Sequence, residues 1–108
     1  MATARELVDE ARNKIEANKE AAAAVGATYK FVLEGEGGGT WIWTLTDHPS
    51  IVEGDGDAPC TIRMSAEDYV AMREGRADAQ QLFFAQQLKV EGDVSLAMKL
   101  QTLNDLIG

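Results

Sequence analysis

Cysteine is nearly absent from this sequence: Cys60 stands alone among 108 residues, so no internal disulfide can staple the fold. The opening stretch MATARELVDE is charged and lacks the apolar core of a secretory signal. Both features predict a cytoplasmic protein. No apolar run approaches the roughly 20 residues of a spanning helix, so no stable membrane anchor is expected. Basic residues are also scarce. Ten Lys and Arg against 18 Asp and Glu leave a formal charge of -8. A surface of that sign repels the phosphates of nucleic acids and anionic lipids, which excludes nucleic acid as a partner. Histidine occurs once, so one chain cannot build a two-histidine metal site, and neither metal nor cofactor is expected. Aromatics are only 6% of the residues, which leaves aliphatic side chains to fill most of any core.

What is present suffices for one globular unit. Hydrophobic residues make up 45% of the chain, too many for disorder. Surface scaling gives roughly 17,000 Å² exposed when unfolded and roughly 6,000 Å² when folded. The expected organisation is a single domain over 1–108, with a lead-in helix over 1–26 and a core over 27–108.

The periodicity changes along the chain. Thr3 and Glu6 form a capping box, and Leu7, Val8, Ala11 and Ile15 follow at helical spacing, predicting a helix over 3–25 that Gly26 ends. The period then becomes two. Tyr29, Phe31 and Leu33 alternate with Lys30, Val32 and Glu34, and Trp41, Trp43 and Leu45 alternate with Ile42, Thr44 and Thr46, across a glycine-rich reversal at 35–39. A short strand at 51–53 and a fourth at Cys60–Met64 follow. Ser65 with Asp68 caps a helix to about Glu74, Asp78 caps a short one carrying Leu82, Phe83 and Phe84, and Leu88–Glu91 is the last strand. A final helix carries Leu96, Leu100, Leu103 and Ile107 as its stripe, widened by Val94 and Met98. The order predicts an α+β fold: a five-stranded, largely antiparallel sheet with helices on one face.

Few residues suggest chemistry. Asp47, His48 and Ser50 crowd one proline turn, whereas triads join distant segments. Gly35-x-Gly37 opens a strand and not the helix that a dinucleotide fingerprint requires. Glu53, Asp55 and Asp57 lack the remaining ligands of a calcium loop. Cys60 has no nearby base and reads as a small buried hydrophobe. Apolar surface remains: Phe31, Leu33, Trp43, Leu45, Ile62, Met64, Leu88 and Val90 on the sheet, with Phe83, Phe84, Met98, Leu100 and Leu103 from the helices. Periodicity does not distinguish a filled core from a hollow one.

The run Cys60-Thr-Ile-Arg-Met-Ser-Ala-Glu-Asp-Tyr69, then Gly75, Gln81-Leu-Phe-Phe84, Leu88-Lys-Val-Glu-Gly-Asp93 and Leu96-Ala-Met-Lys-Leu-Gln101 closely resembles the sterol carrier protein 2 (SCP2) domain family. The likeness covers about residues 27–108, and the first helix resembles the lead-in of stand-alone bacterial members. The resemblance implies a non-catalytic carrier, not an enzyme, that holds a fatty acid, acyl-CoA or sterol in an apolar tunnel between sheet and helices. The lining it implies is Phe31, Leu33, Trp43, Leu45, Ile62, Met64, Phe84, Leu88, Val90, Met98 and Leu103. Gln101 either orients a ligand's polar group or is an exposed helix residue. A dimeric interaction or accessory module without lipid transfer is the alternative, and the chain is expected to be a monomer or a homodimer. Two departures stand out. The glycine usual before the last strand is replaced by Gln86 or Gln87, which is expected to alter the turn near the cavity mouth. The usual Asn-Pro before the short helix is Asp78-Ala79. The terminal Asp-Leu-Ile-Gly108 is also not a peroxisomal Ser-Lys-Leu address.

Overall fold

A computed structural model describes residues 3–107, without the side chains of Leu100, Gln101 and Asn104. Alternating burial forms each main strand. β1 (Ala27–Glu34) and β2 (Gly39–Leu45) pair antiparallel, Phe31 facing Trp41 in register, and β3 (Ser50–Glu53) adds to β2. β4 (Cys60–Ser65) lies parallel to the other side of β1, with Phe31 beside Ile62, and β5 (Lys89–Gly92) pairs antiparallel with β4. The order is β3-β2-β1-β4-β5, a mixed and mostly antiparallel sheet. Two glycines are sterically required. A Cβ on Gly38 would meet the Leu33 carbonyl at 2.0 Å, and one on Gly92 would meet the Pro59 carbonyl at 2.4 Å. The accessible surface of the described structure, 6033 Å², agrees with the scaling estimate.

Helices cover the inner face. α1 (Ala4–Ala17) is capped by Thr3, whose hydroxyl accepts from the Glu6 N–H at 3.2 Å, and buries Ala4, Leu7, Val8, Ala11 and Ile15. The expected single helix to residue 25 is broken at Asn18. Its side chain donates back to the Lys14 carbonyl at 2.9 Å, an alternative to the helical ladder that asparagine favours. α2 (Lys19–Ala23) then runs to Gly26, which takes φ +68°. α3 (Ala66–Arg73) starts at a Ser65 cap and α4 (Ala79–Phe84) at an Asp78 cap, so the Asp-Ala departure keeps its capping oxygen.

Two further expectations need correction. The turn after α4 is retained despite the missing glycine. Gln86 itself adopts φ +63°, the Gln87 N–H donates to the Leu82 carbonyl at 2.8 Å and the Gln86 N–H to the Phe83 carbonyl at 3.1 Å. This is a Schellman ending, normally glycine's position, here held by glutamine at a steric cost. The final helix is two: α5 (Val94–Ala97) and α6 (Leu100–Ile107). Between them the Met98 and Lys99 N–H groups donate to the Ser95 and Leu96 carbonyls three residues back. That tighter winding breaks the single stripe. Val94 is consequently 55% and Met98 83% exposed, while Leu103 and Ile107 stay buried.

Candidate functional site

Between sheet and helices lies a small cavity walled by Phe31 of β1, Trp43 of β2, Met64 of β4, Tyr69 and Met72 of α3, Ala79 of α4, Leu88, and Leu103 and Ile107 of α6. Strand alternation turns Phe31, Trp43 and Met64 to this side, and the registers set them on a diagonal, Trp43 opposite Tyr29 and Met64 beside Leu33 with Phe31 between. The rings of Phe31 and Trp43 lie 4.6 Å apart, tilted by 41°. Room for the centre of a water-sized sphere is about 10 Å³, on the order of one water molecule. At this wall the side chains therefore pack closely, leaving little free space.

The structure brings five of the residues anticipated from sequence to this wall: Phe31, Trp43, Met64, Leu88 and Leu103. Leu33, Leu45 and Ile62 are buried on the same sheet face but stand off the wall. Val90 is half-buried on β5. Phe84 and Met98 do not point inward: they are 72% and 83% exposed. Phe84 sits at the last position of α4, where Leu82 supplies the buried contact. The Gln101 side chain lies outside the described residues. Tyr69, Met72, Ala79 and Ile107 were not anticipated as lining. The signal was available for two of them, since Met72 follows Tyr69 and Ile107 follows Leu103 at one-turn spacing.

A buried cation ties the surrounding helices together. The Arg73 side chain is 4% exposed. Its Nη1 donates to the Leu7 carbonyl and the Tyr69 hydroxyl, both at 2.9 Å, and its Nη2 reaches the Ile107 carbonyl and the Glu10 carboxylate at 3.4 Å. Lys14 Nζ donates to the same Ile107 carbonyl at 2.8 Å. Positive charge at the last turn of α6 complements the carbonyl end of that helix. Burial pushes the Tyr69 hydroxyl up, against an opposing pull from Arg73. Nearby, the Tyr29 hydroxyl donates to the Leu96 carbonyl at 2.6 Å, and burial, followed by the neighbouring Cys60, pushes it up to about 12. Burial, with Asp93 adding, also raises the Cys60 thiol, which disfavours the reactive thiolate.

Two of the three acids considered as a calcium loop are engaged elsewhere. Glu53 pairs with Arg5 at 2.7 Å and Asp55 with Lys30 at 2.8 Å, and each cation holds its carboxyl below the usual range. His48 is exposed. Among the described residues no helix is long and apolar enough to cross a membrane. The wall is therefore suited to apolar matter, and of its residues only Tyr69 and Trp43 carry a hydrogen-bonding side-chain group.

Comparisons with known proteins agree with this architecture. The non-specific lipid-transfer protein-like 1 of Caenorhabditis elegans is 28% identical over 92% of this chain and 87% of its own length. Sterol carrier protein 2 of Rattus norvegicus is 37% identical over 82% of the chain, and the rat hydroxysteroid dehydrogenase-like protein 2 is 36% identical over 78%. The chain spans only 17% of the length of each of these two. Among solved structures, the apo form of sterol carrier protein 2 from Yarrowia lipolytica superposes with a TM-score of 0.81 at 23% identity, covering 94% of this chain and 89% of that one. Sterol carrier protein-2 of Aedes aegypti in complex with palmitate gives 0.72 at 22%, covering all of both chains. The profile of the SCP-2 sterol transfer family matches residues 7–105, and with the sheet order and the apolar inner layer this places the chain in that family.

Proposed function

We propose that this chain is a non-catalytic lipid carrier that takes a fatty acyl, sterol or related apolar ligand between its sheet and its helices. One observation carries the reading: six elements and the segment leading into β5 converge on a single wall made almost wholly of carbon and sulfur. The names of its relatives support it. A drug-sized ligand needs roughly 300–1,000 Å³, so entry requires the wall to part. The short elements α4 and α6 are the parts able to move, and the Phe83, Phe84, Val94 and Met98 side chains already stand outside the core.

The energetics suit reversible cargo. Burying a 16-carbon chain gains roughly 12 kcal/mol at about 0.8 kcal/mol per CH₂, and association costs roughly 4–15 kcal/mol. Micromolar affinity with little geometric selectivity follows. Thermal melts with palmitate test this. At about 100 times Kd, mass action adds about 2.7 kcal/mol of stability, and organic extracts of the purified protein should contain lipid. Neither co-purified lipid nor a thermal shift would overturn the carrier reading. The exposed apolar side chains favour a second reading, an interaction module. That reading is supported instead if the solution mass doubles with concentration while lipid has no effect.

A further inference from the structure

Trp43 is 1% exposed and stands on the cavity wall. Its indole Nε1–H has no hydrogen-bond partner. An indole nitrogen is a donor only, and buried donors are normally satisfied, so this one demands an explanation. The nearest ring, Phe31 at 4.6 Å, offers at most a weak N–H to π contact. The Tyr69 hydroxyl is already engaged by Arg73 at 2.9 Å. The remaining wall residues, Met64, Met72, Ala79, Leu88, Leu103 and Ile107, present no strong side-chain acceptor. A water fits by size but needs two to four polar partners, and besides Trp43 this wall offers only the Tyr69 side chain, whose hydroxyl is held by Arg73. One other buried side-chain donor is unmatched among the described residues, Arg73 Nε, but it belongs to a guanidinium already bonded through both of its other nitrogens.

We propose that Trp43 is the polar anchor of the cargo: its Nε1–H donates to an acceptor oxygen of the bound lipid, so the chain favours oxygen-bearing lipids over plain hydrocarbons of equal length. The inference rests on the carrier reading and adds the chemical feature that the ligand must carry. The free protein leaves this donor unsatisfied, and a carboxyl, ester carbonyl or hydroxyl relieves it. A hydrocarbon fills the same space and leaves the donor as it was. The anchor is a neutral donor, so it serves acids, esters and alcohols alike, which accords with broad specificity.

Indole N–H resonances of protein labelled with ¹⁵N-tryptophan provide the test, with palmitate and 1-hexadecene as probes. Trp41 is the internal reference, because it does not line the cavity, and Trp43→Phe identifies the Trp43 signal by its loss. Palmitate is expected to move the Trp43 proton downfield and slow its exchange with solvent, whereas 1-hexadecene leaves its hydrogen bonding unchanged. Trp43→Phe is expected to weaken palmitate binding about tenfold, which is about 1.4 kcal/mol, with 1-hexadecene changed much less. Equal shifts with both probes, a Trp43 signal unmoved by bound palmitate, or equal affinity losses in the variant would overturn the anchor while leaving the carrier intact. Binding of neither probe would overturn the carrier reading and the anchor with it. The wild-type resonances decide the question even if Trp43→Phe folds poorly.

Discussion

The sheet with α1 and the cover formed by residues 79–107 are built on different terms. In the sheet, every inward side chain of β1, β2 and β4 is buried, including Tyr29, Trp43, Leu45 and Ile62. In the cover, no helix exceeds eight residues, and Phe83, Phe84, Val94 and Met98 are exposed. Outside β5, which pairs with β4, the cover is held at discrete points: Leu82, Leu88, Leu103 and Ile107 in the core, the Tyr29 bond to Leu96, the Lys99 bond to the Val25 carbonyl, and the cations of Arg73 and Lys14 on Ile107. A long strand shares its burial among many residues, whereas a cover fastened at a few points opens when those points yield. A carrier needs both, a rigid wall and a side that gives way.

The largest contrast should come from truncating side chains in each half. Leu45→Ala, in the fully buried sheet layer, is expected to cost about 2–5 kcal/mol in denaturant unfolding, whereas Phe84→Ser should stay within about 0.5 kcal/mol. Comparable losses would break the distinction. Next comes the fastening. Arg73→Met should cost about 2 kcal/mol, the range of hydrogen bonds to a charged group, and should speed release of a fluorescent fatty acid more than Leu45→Ala does.

A smaller effect appears on the alkaline side. The Tyr29 phenol, held at about 12, titrates near 10 in an unfolded chain. Between these values the native state keeps a proton that the unfolded state has lost. Its contribution is therefore whole below about pH 10 and disappears as pH rises through about 12. Melting temperature should begin to fall above about pH 10, Tyr69 and Cys60 acting in the same direction. Tyr29→Phe should flatten that slope and, by removing the bond to Leu96, cost about 1 kcal/mol at neutral pH. The smallest change is a gain. Gln86→Gly relieves a left-handed side chain but loosens the unfolded chain, for a net of about 0.5 kcal/mol by chemical denaturation.

The same division governed what could be read in advance. The strands were legible because burial on one face leaves an alternating signature, as in Tyr29-Lys30-Phe31-Val32-Leu33. Caps at Thr3, Ser65 and Asp78 were legible because one side-chain oxygen performs the task locally. The breaks at Asn18 and at 98–99 were not, since each depends on which carbonyl a single N–H chooses. Phe84 and Met98 have an apolar character that says inside, and only the winding of their helices places them outside. The orphaned indole of Trp43 was invisible in principle: whether a donor is satisfied depends on everything folded around it.

The bond from Lys14 to the Ile107 carbonyl joins positions 93 residues apart, with α1 packed against α6 as well as α3. On a ribosome, α1 emerges well before α6, one of its packing partners. At about 5–20 residues per second, the stripe of Leu7, Val8 and Ile15 waits several seconds for α6. During that interval it is a natural target for chaperones, and a nascent chain stalled before α6 should be far more prone to proteolysis than one carried through it.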